Sequence, residues 1–403
     1  MTETPSWRSY RGPAWRVVGV GVTVQLLHFG LFQQAYSVYV PVLVDTMGWS
    51  AASLGLVFAL HQAVAGAIGP MQGRALSRWG AARLATIGTV ILAAAMIGLS
   101  LATDVVVFGA WFVLGALGQY LAGFLTLTTC VVTWFGRASA WPLSVMQTGL
   151  SLAGLVVPIV ALAIGSFGWR SVLLVSALVI AATGIPLARH LTTGPHRPSA
   201  AVASSGGVER AYREAVTSTA FWAIASGHAL ALAVIHGVNV YFVLYVTARG
   251  VPLPVAASMV ALSTLAMLAG QLSGGVLGVR YTSRWLAAGC MALHAIALML
   301  LVNLPSVSVI APFAVLHGFA WGVRGPIMQA MRVEYFGTDA FPRVMGTSLM
   351  IATVGAVIGP YAVGVAADLG LGFDGAFTAL GAVAVLGAVA FALAHRPKDR
   401  AFV

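Results

Sequence analysis

Charge is scarce in this sequence. Asp, Glu, Lys and Arg make up 8% of 403 residues, and 10 of them are acidic. A soluble domain of ordinary composition carries about a quarter charged residues, so this chain is not one. Cysteine is scarcer still: Cys130 and Cys290 are the only two, and they fit neither a disulfide framework nor the ligand spacing of a zinc site. They read as packing residues. The motifs of intramembrane hydrolysis are missing as well, since there is no pair of acids deep in an apolar run, no `HExxH`, and no spacing that pairs a serine with a histidine. No cofactor and no metal is expected. The absence of acids from the apolar runs also argues against a carrier of cations or cationic drugs, which would hold a negative charge in its cavity.

Apolar residues fill the space. They make up 60% of the chain, the mean hydropathy is +0.94, and runs longer than about 18 residues recur from end to end. Cut at charged and Pro/Gly-rich breaks, the chain yields spans near 16–41, 51–73, 84–102, 106–133, 139–165, 170–189, 219–246, 255–279, 285–303, 309–332, 344–367 and 374–394. These should be helices, because backbone groups facing lipid must be paired within their own segment. The fold class is therefore an all-α membrane protein of twelve transmembrane helices. The first run is too long for a signal-peptide core and has no clear cleavage pattern, so it is expected to stay in the protein.

With both termini in the cytoplasm, cytoplasmic segments hold 18 of the 21 Lys and Arg, while Arg170 and Arg249 lie outside and Arg324 within a span. That bias satisfies the positive-inside rule, for a protein of the cell (inner) membrane. The net charge of +11 is explained by topology and anionic lipid headgroups without any nucleic acid.

The stretch 190–217, `HLTTGPHRPSAAVASSGGVERAYREAVT`, is the longest polar segment and reads as a cytoplasmic linker between a bundle at 1–189 and a second at 218–403. The halves echo one another. Gly73 and Arg78 in `GRALSRW` recur at an offset of 202 as Gly275 and Arg280 in `GVLGVRY`; `WFG` at 134–136 returns as `YFG` at 335–337, and Pro158 as Pro360. Two pseudo-symmetric six-helix bundles are expected, with a ligand held between the halves near mid-membrane.

These features resemble the major facilitator superfamily and its glycine-and-arginine loop signature, here `GRALSRWGAAR` and `GVRYTSRW`. The resemblance implies a secondary transporter working by alternating access, with a gating loop of Gly73, Arg74, Arg78, Arg83, Gly275 and Arg280. Ser77 and Val279 stand where that signature carries an acid. A finer resemblance, through `MGWSAASLGLVFAL`, `TWFGRASAWPLSVMQTGLSLAG`, `GSFGWRSVLL` and `VEYFGTDAFPRVMG`, is to the monocarboxylate transporter and oxalate/formate antiporter branch. Where that branch commonly has an arginine in span eight, this chain has Gln271.

Arg324 carries the functional reading. A central arginine costs about 2.5–3.5 kcal/mol to insert, so it should face protein or water, and it needs an anion. No acid lies deep in a span, which leaves the substrate as the counter-ion, and a guanidinium matches a carboxylate in bidentate fashion. His317, Trp321, Arg324 and Met328 share one helical stripe. Gln25, His28, Phe32 and Tyr36 share another, as do His228, Leu232, His236 and Asn239, and Gln147 and Ser151. The expected substrate-binding residues are Arg324, His28, Tyr36, Gln119, Tyr120, Gln147, His236, Asn239, Gln271, His317 and Trp321, with His61 as a further polar residue in span two. His28 and His236 are the candidate proton carriers. The expected activity is transport of a small organic anion, a monocarboxylate before others, coupled to protons, by a monomer. Anion/anion exchange, a transport-inactive sensor and, behind these, an exporter of drugs or other small molecules stay open at this stage.

Overall fold

A computed structural model describes residues 12–195, 206–303, 307–337 and 341–396. The terminal cations Arg8, Arg11, Lys398 and Arg400, the centre of the polar linker with Arg197, and residues 338–340 of the `VEYFGTDAFPRVMG` stretch lie outside the described residues. No strand occurs among the described residues. Among the described residues, ten helical runs are long and apolar enough to cross a membrane. The last of these, Arg343–Leu393, breaks at Gly370 (φ 97°) and so supplies two of the expected spans. The one expected span outside this set is that of α14, the helix carrying Arg324 and Arg332.

The chain divides into two compact units, one of residues 1–49 and 60–199, the other of 50–59 and 200–403. In the first unit, the first span consists of α1 (Pro13–His28), a π turn at Phe29–Gln34 and α2 (Tyr36–Met47). Then come α3 (Ala51–Trp79) and α4 (Ala81–Leu101). The fourth span is α5 (Val105–Ala122) and α6 (Phe124–Phe135), broken at Gly123; the fifth is α7 (Ala140–Ser151) and α8 (Val157–Phe167), joined by a 3-10 turn; the sixth is α9 (Trp169–Ala188). A buried core of Val17, Val18, Val24, Leu127, Val131, Phe135 and Met146 ties α1, α6 and α7 together. Asp104 caps α5, its Oδ1 accepting from the Val106 and Val107 amides at 2.9 Å each.

The second unit contains α10 (Gly206–Val216), α11 (Thr219–Thr247), α12 (Leu253–Arg280), α13 (Ser283–Asn303), α14 (Val307–Phe336), α15 (Phe341–Ala366) and α16 (Gly372–Leu393). Residues Ser50–Ala59, the first turns of α3, group with it. Helix pairing repeats between the units: α1 with α7, α4 with α9 and α4 with α5 in the first correspond to α11 with α15, α13 with α16 and α13 with α14 in the second.

Two expectations about local structure are corrected. Gly73, Arg74, Arg78, Gly275 and Arg280 were expected in loops, but they lie on α3 and α12, and Arg83 lies in the first turn of α4. `GRALSRW` is rich in good helix formers and neither segment holds a proline, so the helices run on, α3 as far as Trp79. Arg78 and Arg280 then stand in corresponding last turns, where a cation interacts favourably with the helix dipole. The polar segment at 190–217 also contains a helix, α10, held by an i,i+4 pair between Glu209 and Arg213 at 2.8 Å.

Candidate functional site

The orientation of α14 is set by glycine. A Cβ on Gly318 would lie 2.1 Å from the Ser263 carbonyl oxygen of α12, and one on Gly322 1.9 Å from that of Met267. Gly270 and Gly274 of α12 answer from the other side, facing the Phe319 and Val323 carbonyls at 2.3 and 2.8 Å. Two Gly-x-x-x-Gly steps therefore bring the helices together backbone to backbone. At about 100° per residue, Arg324 lies about 200° round the helix from Gly322, away from this seam and on the same side as His317.

Arg324 is 3% exposed, and its Nε and Nη1 have no hydrogen-bond partner among the described residues. Cys290, His228, His294 and a second arginine, Arg332, are within its electrostatic reach, and none is an acid. Ion pairs among the described residues are Arg213 with Glu209, Arg249 with Asp374 and Arg343 with Glu209. The acids at the outer helix ends have structural work elsewhere: the Asp368 carboxylate accepts from the Ala52 amide at 2.8 Å, and Asp374 from the Tyr245 hydroxyl at 2.7 Å. The guanidinium is thus a buried donor set with no acid beside it among the described residues. On its stripe His317 and Met328 are buried and Trp321 is half-buried.

A second buried guanidinium was not foreseen. Arg332, counted from sequence among the cytoplasmic charges, is 0% exposed. Its Nε and Nη2 donate to the Ser348 hydroxyl at 3.1 and 2.8 Å, its Nη1 to the Met328 carbonyl at 2.8 Å, and its Nη2 also to His228 Nδ1 at 2.8 Å. Arginine only donates, so His228 Nδ1 must accept, which places the imidazole proton on Nε2 and keeps the ring neutral. Arg324 and Arg332 therefore differ in kind, one open to a partner and the other already held.

His317 meets a residue that sequence reasoning missed. Its Nδ1 lies 3.0 Å from Nδ1 of His294 on α13, the rings have centroids 4.5 Å apart, and Phe313 stacks on His317 at 5.3 Å. Nε2 of each ring is buried without a hydrogen-bond partner among the described residues. Of the remaining candidates in this unit, His236, Asn239 and Gln271 are half-buried, and the His236 ring lies 5.8 Å from that of Phe58.

In the first unit the expected polar residues form a network. His61 Nε2 lies 3.0 Å from Gln119 Oε1 and its Nδ1 2.9 Å from Gln62 Oε1; Gln119 Nε2 donates to Gln33 at 3.2 Å, and Gln72 donates to the Tyr120 carbonyl at 2.7 Å. Phe32 and Tyr36 each lie 4.6 Å from Phe112, closing an aromatic wall. His28 is buried, and neither ring nitrogen is hydrogen-bonded among the described residues. Gln147 is half-buried, while Gln25 spends its amide on the Met146 carbonyl at 3.0 Å. Gln33, Gln62 and Gln72 were not singled out from sequence, because isolated amides in apolar runs look like ordinary interhelical hydrogen bonding.

Comparison with known proteins agrees with this architecture. The family model described as Major Facilitator Superfamily matches residues 22–281 and 248–402. No curated protein matches the chain. Among solved structures, the chain is similar to a bacterial homolog of the human lysosomal transporter Spinster in an inward-facing, unoccupied conformation, with TM-score 0.79, 16% identity, and coverage of 96% of this chain and 97% of that one. It is also similar to the nucleoside transporter NupG, with TM-score 0.74, 14% identity, and coverage of 96% of this chain and 100% of that one.

Proposed function

Because the chain belongs to the major facilitator superfamily and is an integral membrane transporter rather than an enzyme, we propose that its cargo is a small organic anion, a monocarboxylate before others, and that Arg324 holds it. The observation behind this reading is the state of that side chain: 3% exposed, without an acidic partner, and with Nε and Nη1 undirected to any protein acceptor. Such donors are costly to leave unpaired, and a carboxylate satisfies two of them at once. The polar network around His61, Gln119 and Tyr120 contains no acid. In this reading the protein lies in the cell membrane with its termini in the cytoplasm, acts as a monomer by alternating access, and couples the anion to a proton.

The test is uptake by the full chain in liposomes, with radiolabelled pyruvate, lactate and oxalate as probes. Arg324→Gln should insert normally and lose uptake of every probe that the wild type carries, by at least about tenfold for the loss of one charge-assisted pair. Arg324→Lys should keep part of the activity, since a point charge attracts the anion without the fork geometry. Wild-type uptake by Arg324→Gln rejects the assignment. Labelled probe exchanging for unlabelled probe at equal pH, without net uptake under a pH gradient, would identify an exchanger.

A further inference from the structure

We infer that the buried His294–His317 pair is a one-proton site, and that its occupancy is tied to the charge on Arg324. The inference rests on the anion reading above for its coupling, but not for the proton site itself. Nδ1 of one ring faces Nδ1 of the other at 3.0 Å, so in the neutral pair one ring donates and the other accepts. The accepting ring must then carry its own proton on Nε2, which leaves a bare lone pair on the donor's Nε2. Both Nε2 atoms are buried and unpartnered among the described residues. A proton taken at that lone pair makes an imidazolium whose Nδ1–H still points at its neutral neighbour, a charge-assisted hydrogen bond stronger than the neutral one. A second proton would set two N–H groups head to head across the same 3.0 Å, so the pair holds one and no more. The shared bond also lets the proton enter at one Nε2 and leave at the other, from α13 to α14.

The surroundings set when the site fills. Arg324 lies seven residues after His317 on the same face of α14 and within electrostatic reach of His294; Cys290 stands one turn from His294 on α13. From α11 the ionisable residues are His228, held by Arg332, His236, Tyr241 and Tyr245. The apolar lengths of α12 and α16 bring only Arg280 and Asp374, both near helix ends, and α15 brings Arg343 and Tyr361. The nearest fixed charge is therefore the Arg324 guanidinium, which opposes a second positive charge while it is unpaired. An anion on Arg324 removes that opposition, so anion and proton favour each other, and by linkage the favour is mutual. One anion with one proton is the stoichiometry that follows.

Two measurements on the full chain test this. In liposomes with a gradient of one pH unit, acid outside, one-to-one symport of pyruvate or lactate should give about tenfold accumulation in the wild type. His294→Asn should accumulate about onefold while still exchanging labelled for unlabelled probe at equal pH. Histidine-labelled NMR of the wild type in detergent should show a single protonation shared by two rings and no second, shifting toward higher pH when pyruvate is added. Full accumulation by His294→Asn, loss of its exchange together with its accumulation, or two independent ring titrations would each overturn the proton site. If the wild type moves no probe but the single shared protonation is seen, the anion reading fails and the proton site stands. If His294→Asn accumulates normally and Arg324→Gln does not, the reverse holds.

Discussion

One hydroxyl carries much of the burden of the buried charge at Arg332. Ser348 Oγ accepts from both Nε and Nη2, while Met328 and His228 take the remaining contacts. Ser348→Ala leaves Nε without its acceptor in a site of 0% exposure, a penalty of about 1–3 kcal/mol, and should lower the thermal midpoint of the detergent-solubilised protein; Ser348→Thr, which keeps the oxygen, should not. Residues of this kind divide sharply in how far sequence exposes them. Arg324 is conspicuous because a charge in mid-span has no cheap explanation. Arg332 hides, since an arginine at the inner end of a span is what topology leads one to expect. His294 hides for a different reason: its meaning depends on which residue of α14 it meets, and that register is decided by the glycines facing α12, not by any spacing along α13.

Among the elements, α10 makes an assertion that can be checked against acid. The Arg213 and then the Arg343 hydrogen bonds hold the Glu209 carboxyl below the usual carboxylate range, and Tyr212 adds a hydroxyl contact to Thr347 at 2.9 Å. A lowered folded-state value means that the contact stabilises above the unfolded value near 4.5 and is lost as pH falls through the folded one. Limited proteolysis across 206–216 should therefore be slow at neutral pH and accelerate in acid, and Glu209→Gln should be cut faster at neutral pH with little further response to acidification. The helix itself was not foreseen, because its segment is dominated by the Ser, Gly and Pro that surround it. The long apolar spans were legible for the opposite reason, and so was the break between the last two, although the breaks within spans at Phe29–Gln34 and Gly123 were not. A single π turn or bent glycine leaves the hydropathy of a run unchanged.

For the molecule as a whole, the arginine distribution predicts sidedness. Both native thiols are buried, Cys130 at 0% and Cys290 at 6% exposure, so introduced cysteines can be probed against a low background. In intact cells, a membrane-impermeant maleimide should label cysteines placed at Thr103 and Gly250 and spare those at Ser77 and Thr282; the inverse pattern would reverse the orientation. The duplicated plan was visible in the Gly73/Arg78 and Gly275/Arg280 echo, and it recurs in the matched helix pairings of the two units. The sequence echo is weak at each position, and it is carried by residues at the helix ends.

The seam between α12 and α14 limits what can move. Carbonyl oxygens sit so near Gly318 and Gly322 that neither helix can slide or turn against the other without collision. Whatever rearrangement carries cargo must therefore shift the two as a single rod, with Arg324 riding on its far side and the bending left to partners outside that rod.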